Sequence, residues 1–334
     1  MTTLVALSAD EVLANVTLSA VGELACGGAV RVVPAGTSDV YLAGVTPGGT
    51  VTCVATAGDA EATADVVLPG LASAGIVLFD NAHGEQSGNA DWVIDDNAPW
   101  PSPSSPSSPE DWKGAYSSFG YDTWRNGYTV RTNTGDLDAD ALADVQVLVL
   151  PEPNQRLDSG ELGAVVAFVQ RGGGLVLITD HHESDRDGDG VDSTHVADDL
   201  FAALAVGTRV APDTADVGTE YNSTSSAGDP ADPVLHGRNG DVTKVDFYDA
   251  SAFTLAGLPE DRPVLWLGPS AGDDSAGARV VASYAGAGRV LSIADSAPAD
   301  DGTGAADEAL YASWEEADDA ALYLNAVDWA AGVR

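Results

Sequence analysis

Four consecutive apolar residues, Leu175, Val176, Leu177 and Ile178, follow Gly172-Gly173-Gly174 and give way at once to Asp180, His181, His182, Glu183 and Asp185. A run that is apolar at every position and bounded by glycine reads as a strand covered on both faces of its sheet. The covering layers are visible on either side in the chain. Asp158, with Glu161 three residues on, opens a helix as a capping box, and Leu162, Val165, Val166 and Val169 repeat at helical spacing until Gly172. Similar buried strands are predicted at 76–79, 145–150, 263–267 and 289–293, with 278–282 joined to the last of these by a hairpin at 284–288. Helices are expected over 111–121 and 317–331, and a strand around 128–131. This β–α alternation from residue 74 to the end predicts an α/β domain with a mostly parallel sheet between helices on both faces.

Residues 1–70 have a different grammar. Short alternating runs are separated by turn signals at 34–36, 47–49 and 57–59, which predicts an all-β, immunoglobulin-like sandwich. Both cysteines, Cys26 and Cys53, lie in this part, and their spacing leaves open one disulfide or two buried thiols. Within the α/β part, after the 76–79 strand, 99–109 is a Pro/Ser-rich insert, expected to be an irregular surface loop, with Trp92, Trp100, Trp112 and Trp124 around it.

The charge balance excludes some partners. With 52 acidic and 14 basic residues the formal net charge is −38, which repels nucleic-acid backbones and anionic lipid. No apolar run reaches the ~20 residues of a membrane span, and no signal peptide is visible at the N-terminus. Acidity spread along the whole chain also fits a halophilic surface, while 44% hydrophobic residues suffice for a proper core.

In parallel sheets ligands gather at the carboxyl ends of the strands. Here Asp80, His83 and Glu85 follow one strand, Glu152 another, Asp180 and His181 the 175–178 strand, and Asp295 the last. Imidazole with carboxylate suits Zn2+, Mn2+ or Fe, so Asp80, His83, Asp180, His181 and Asp295 are candidate metal ligands, with Glu85 or Glu152 as general base. Asp185, Asp187 and Asp189 before Gly190 match the first half of a calcium loop. The bidentate Glu of such loops is replaced by Val196, so Asp192, Asp198 or Asp199 is the expected completion of a Ca2+ site across 185–199.

Residues 164–178, 286–296 and 325–329 resemble, respectively, the helix–glycine–strand element, the late hairpin ending in Asp-Ser, and the closing helix of class I glutamine amidotransferase-like domains. The branch resembled is the one without the cysteine nucleophile, the ThuA-like and gliding-motility GldG-like relatives. The resemblance covers about 74–331 and implies a flavodoxin-like sheet with a cleft at the strand ends. Where amidotransferases carry their nucleophile stand Asp180-His181-His182, which argues against glutaminase chemistry. The expected function is a metal-dependent hydrolase acting on a small molecule or glycan. The alternative is a non-catalytic, calcium-stabilised extracellular or cell-surface module that assembles through its β domain.

Overall fold

The computed structural model describes residues 52–54, 74–96, 100–211, 231–258, 261–266, 277–304 and 310–333, with backbone strands alone elsewhere in 3–67 and at 220–225. The chain divides into two compact units, Met1–Ser73 and Ala74–Arg334. In the first unit the described backbone consists of strands. Strands Thr3–Ser8, Glu11–Thr17, Asp39–Ala43 and Arg31–Pro34 form one antiparallel sheet in that order, and Glu23–Cys26, Thr50–Ala57 and Ala60–Val67 a second. Cys53, whose register partner is Cys26, is disulfide-bonded, so the alternative of two buried thiols falls.

The second unit is mixed α/β, with few helices around one large sheet. Its main elements are β1 (Ile76–Asp80), α1 (Ser117–Arg125), β2 (Thr129–Asn133), β3 (Val147–Pro151), α2 (Ser159–Gln170), β4 (Gly174–Ile178), α3 (Ser193–Leu204), β5 (Glu220–Ser225), β6 (Lys244–Tyr248), β7 (Arg262–Trp266), β8 (Ala276–Ala285), β9 (Gly288–Ile293) and α4 (Asp319–Ala331), with short strands Thr208–Val210 and Phe253–Leu255 also joined to the large sheet. The strand order is β6-β5-β7-β8-β9-β4-β3-β1-β2. From β9 to β2 all neighbours are parallel; β8, β7, β5 and β6 extend that core antiparallel on one side.

Continuous apolar strands distribute their side chains by the two-residue period of the pleat. Val77, Phe79, Val147, Val149, Val176, Ile178, Leu291 and Ile293 face one core with Phe119 of α1 and Leu322 and Val327 of α4. Their neighbours Leu78, Leu148, Leu150, Leu175, Leu177 and Val290 face another with Val165 and Phe168 of α2 and Leu200 and Phe201 of α3. The turn into β9 depends on glycine, since a Cβ on Gly288 would collide with the carbonyl oxygens of Val169 and Gly173.

Some local expectations shift. The helix expected over 111–121 is a short 3-10 turn at Pro109–Asp111 followed by α1, because the N–H of Tyr116 is engaged by Val93 and that of Ala115 by Asp91. Residue 99 lies outside the described residues; 100–109 of the insert is largely exposed, but Trp92 and Trp112 are buried, Trp124 is half-buried and Trp100 projects, at 57% exposure.

At the start of α4, Asp319 is fully buried, and its Oδ1 accepts the Asp246 N–H at 3.0 Å. Burial pushes its carboxyl up to about 8; that N–H opposes the shift, and the charges of Asp246, Glu316 and Asp318 reinforce it. A carboxyl raised above its unfolded value of about 3.9 destabilises the fold progressively as pH rises towards the folded value. Asp319→Asn keeps the acceptor and removes the ionisation. Thermal melts are expected to show the variant more stable than wild type above pH 8 by a few kcal/mol, at about 1.4 kcal/mol per pKa unit, and equal to it near pH 4. A constant difference across that range would contradict the assignment.

Candidate functional site

Because β1, β3, β4 and β9 run parallel as near neighbours, their carboxyl ends lie along one edge, and every strand-end candidate lies there. The side chains nonetheless sort into two hydrogen-bonded clusters rather than one.

The first cluster grows from β1, β2 and the start of α2. Asp80, His83 and Glu85 are all buried, and each brings one ligand-type atom within 4.8 Å of the others. His83 Nδ1 lies 2.5 Å from Asp80 Oδ2, and His83 Nε2 lies 3.1 Å from Glu161 Oε1. Asn133, ending β2, donates to Asp80 Oδ1 at 2.7 Å. The backbone N–H of His83 donates to Glu85 Oε2 at 2.7 Å, while Glu85 Oε1 is buried without a hydrogen-bond partner. Burial draws the imidazole of His83 down, but the hydrogen bonds and charges of Asp80 and Glu161 outweigh it and raise the group to about 9. Burial, then the Asp80 charge, drives Glu85 well above the usual carboxylate range.

The second cluster sits at the ends of β3, β4 and β9, around a residue outside the expected set. Arg186 Nε donates to Glu152 Oε1 at 2.8 Å, and its NH2 group to Asp180 Oδ2 at 2.6 Å. The same guanidinium donates to Asn89 Oδ1 at 2.9 Å and lies 5.9 Å from the centre of the Trp92 ring. Glu152 is fully buried with φ +50°, a left-handed backbone that a non-glycine residue holds only when its surroundings impose it. Asp180 is raised by burial and by the Glu152 charge, with Arg186 opposing. Asp295 is raised by burial and then by Asp180, while its carboxylate accepts the Tyr248 and Ala297 N–H groups. Asn154 joins the clusters: its N–H donates to the His83 carbonyl, and its Oδ1 accepts the Arg186 N–H at 2.9 Å.

The expected ligands are divided between these two groups, Asp80 and His83 in the first and Asp180 and Asp295 at the second. Asp180 is ion-paired to Arg186, and His181 Nδ1 is 2.6 Å from the His182 carbonyl. Glu152 is likewise ion-paired to Arg186. Glu85 stands among the ligand-type groups.

In the acidic loop, Asp185, Asp187 and Asp189 do converge, yet their oxygens accept loop amides, Gly188 and Gly190 onto Asp185 and Val191 onto Asp189. Asp192 is engaged differently from expectation. It is the N-cap of α3, accepting Thr194 and His195 N–H groups on Oδ1 and the Glu183 N–H on Oδ2, because four unpaired amides at a helix start need acceptors. Asp198 accepts the Val210 N–H and Asp199 pairs with Arg156. The residues missed from sequence are Arg186, Glu161 and Asn154. Arg186 had a signal, being the lone Lys or Arg within 180–199; Glu161 showed only its capping role.

No family model matches the chain, and no curated protein matches it in sequence. Among solved structures, the N-terminal domain of mmIFT52 is similar over 76% of this chain and 97% of its own, with a TM-score of 0.51 and 11% identity. A ThuA-like protein from Parabacteroides merdae covers 77% of this chain and 90% of its own at TM-score 0.43 and 11% identity. A protein described as a GMP synthase component from Thermoplasma acidophilum covers 77% and 95% at TM-score 0.41 and 9% identity. The first likeness is one of fold alone, and the other two are weaker.

Proposed function

We propose that residues 74–334 form a flavodoxin-like, amidotransferase-like domain that acts as a metal-dependent hydrolase, with its centre at the carboxyl ends of the parallel strands. The parallel order β2-β1-β3-β4-β9 supports the flavodoxin-like reading, since the direction of strand addition reverses at β1/β3, between Asp80 and Glu152. The observation that carries the function is the convergence of two carboxylates and an imidazole, Asp80, Glu85 and His83, in a buried setting that leaves Glu85 Oε1 unpartnered. A cation there would act as a Lewis acid and lower the pKa of a water molecule. The strongly negative chain favours an uncharged small molecule or glycan as substrate.

A second reading has its own support. Arg186 spans Glu152 and Asp180 at the middle of the strand edge and seals it with an ion pair, as suits a non-catalytic module stiffened by calcium at Asp185, Asp187 and Asp189. Residues 1–70 as an immunoglobulin-like domain fit either reading through their four- and three-stranded sheets, and could mediate assembly at a cell surface. The disulfide of Cys53 favours an oxidising, extracellular setting.

The discriminating experiment screens ester, glycoside and phosphodiester substrates with protein loaded with Zn2+ or Mn2+, before and after chelation. Chelator-sensitive turnover that falls at least 100-fold in His83→Ala supports the hydrolase. Turnover that survives chelation, or none with the metal bound, overturns it and leaves the module.

A further inference from the structure

Resting on the reading of a metal centre at Asp80, His83 and Glu85, we infer that the ligand atoms are Asp80 Oδ2, His83 Nδ1 and Glu85 Oε1, that the ion is of the zinc class, and that Glu161 is the positioning residue that selects Nδ1. Each of the three side chains has one arm tied by a separate hydrogen bond, and the remaining atoms turn to a common point, where Asp80 Oδ2 and His83 Nδ1 hydrogen-bond to each other at 2.5 Å until an ion displaces the proton between them. Asp80 is tied through Oδ1 by the amide of Asn133 at 2.7 Å, which leaves Oδ2. Glu85 is tied through Oε2 by the His83 N–H at 2.7 Å, which leaves the buried, unpartnered Oε1. His83 is tied through Nε2 by Glu161 at 3.1 Å, which leaves Nδ1 beside Asp80 Oδ2. A buried carboxylate oxygen with no donor carries a desolvation cost that a proton or a cation must relieve.

The kind of ion follows from the donors. Calcium takes six to eight oxygens, whereas three converging groups that include an imidazole nitrogen suit a four-coordinate, borderline-soft ion. The tautomer follows from Glu161. Once an ion displaces the proton between Nδ1 and Asp80 Oδ2, the carboxylate at Nε2 keeps the other proton on that nitrogen, so the lone pair presented to the ion is on Nδ1, and such outer carboxylates also raise the basicity of the ligating nitrogen. Glu161 is itself fixed, because its Oε2 accepts the Asp158 N–H at 2.8 Å and its Oε1 the Leu137 N–H at 3.2 Å. The same side chain therefore closes the capping box of α2 and orients a ligand of β1.

The test titrates the metal-free protein with Co2+, whose visible absorption reports coordination geometry, and with Zn2+ in competition. Wild type is expected to bind one equivalent with four-coordinate bands. Glu161→Ala is expected to weaken affinity 10–100-fold. Glu161→Gln should recover most of that loss, because its amide oxygen still accepts from Nε2. Asp158→Ala breaks the capping box without touching His83, and should leave affinity at wild-type strength; Glu85→Ala should abolish the four-coordinate spectrum. If wild type binds Co2+ but Glu161→Ala binds it equally well, the positioning role falls and the metal centre stands. If Asp158→Ala weakens binding as much as Glu161→Ala, the effect is one of helix stability and the positioning role also falls. If wild type takes up no Co2+ or Zn2+, the metal centre falls with it.

Discussion

Arg186→Ala is expected to cost the second unit about 3–5 kcal/mol, the usual penalty for removing one partner from a buried ion pair. The guanidinium is the charge partner of both Glu152 and Asp180, whose side chains are 0% and 6% exposed, so its loss leaves two neighbouring carboxylates without compensation. At about 2–4 °C per kcal/mol for a domain of this size, calorimetry should record a fall of roughly 6–20 °C. The pH dependence has a definite sign. Burial and the Glu152 charge raise the Asp180 carboxyl, and removing Arg186 removes the largest of the effects that oppose them. A carboxyl with a raised folded pKa is relieved by protonation, so the deficit should be largest at alkaline pH and shrink as pH falls towards 5. Lysine is not expected to restore the loss, because it cannot make the forked contact to both acids. A variant within 1 kcal/mol of wild type would mean that Glu152 and Asp180 are not held by this pair.

Phe119→Ala is the second large effect, expected at about 3–5 kcal/mol. The ring is fully buried and lies 5.0 Å from Phe79, 6.1 Å from Tyr116, 5.3 Å from Trp314 and 5.6 Å from Tyr323, centre to centre. It thereby ties α1 to β1 and to α4. Three of the four contacts are edge-to-face, so part of the loss is directional and exceeds the area term. Phe79 immediately precedes Asp80, and the damage should extend to the strand end. Denaturant unfolding of the variant is expected to show a lowered midpoint, and weaker Co2+ binding should accompany it. Leucine at this position should recover about half the stability by refilling volume without the edge contacts. A fall below 1 kcal/mol for alanine would show that the aromatic cluster is not the support of this face.

The elements that position the candidate site were legible because each rests on a local rule. Residues 175–178 are buried on both faces, as an all-apolar run requires, and Asp158 and Glu161 make the reciprocal capping box that their spacing predicts. The strand-end rule placed Asp80, Glu152, Asp180 and Asp295 on one edge, which needs only that the strands be parallel neighbours. The antiparallel strands β5 and β6 were not legible. Their sequences, Glu220–Ser225 and Lys244–Tyr248, are polar or short, and they pair with each other across 20 to 28 residues of chain rather than through a tight turn.

The amino-acid order alone determined the α/β alternation, the two-unit division and the list of ionisable groups at the strand ends, since these follow from periodicity, glycine punctuation and capping. Only the tertiary structure decided how those groups combine. It tied His83 to Glu161, 78 residues away, and closed Arg186 over Glu152 rather than leaving Asp180 and His181 to join the first cluster. Hydrogen bonds between side chains distant in the chain carry no local signature, and a buried charge takes whichever partner the packing brings within about 3 Å.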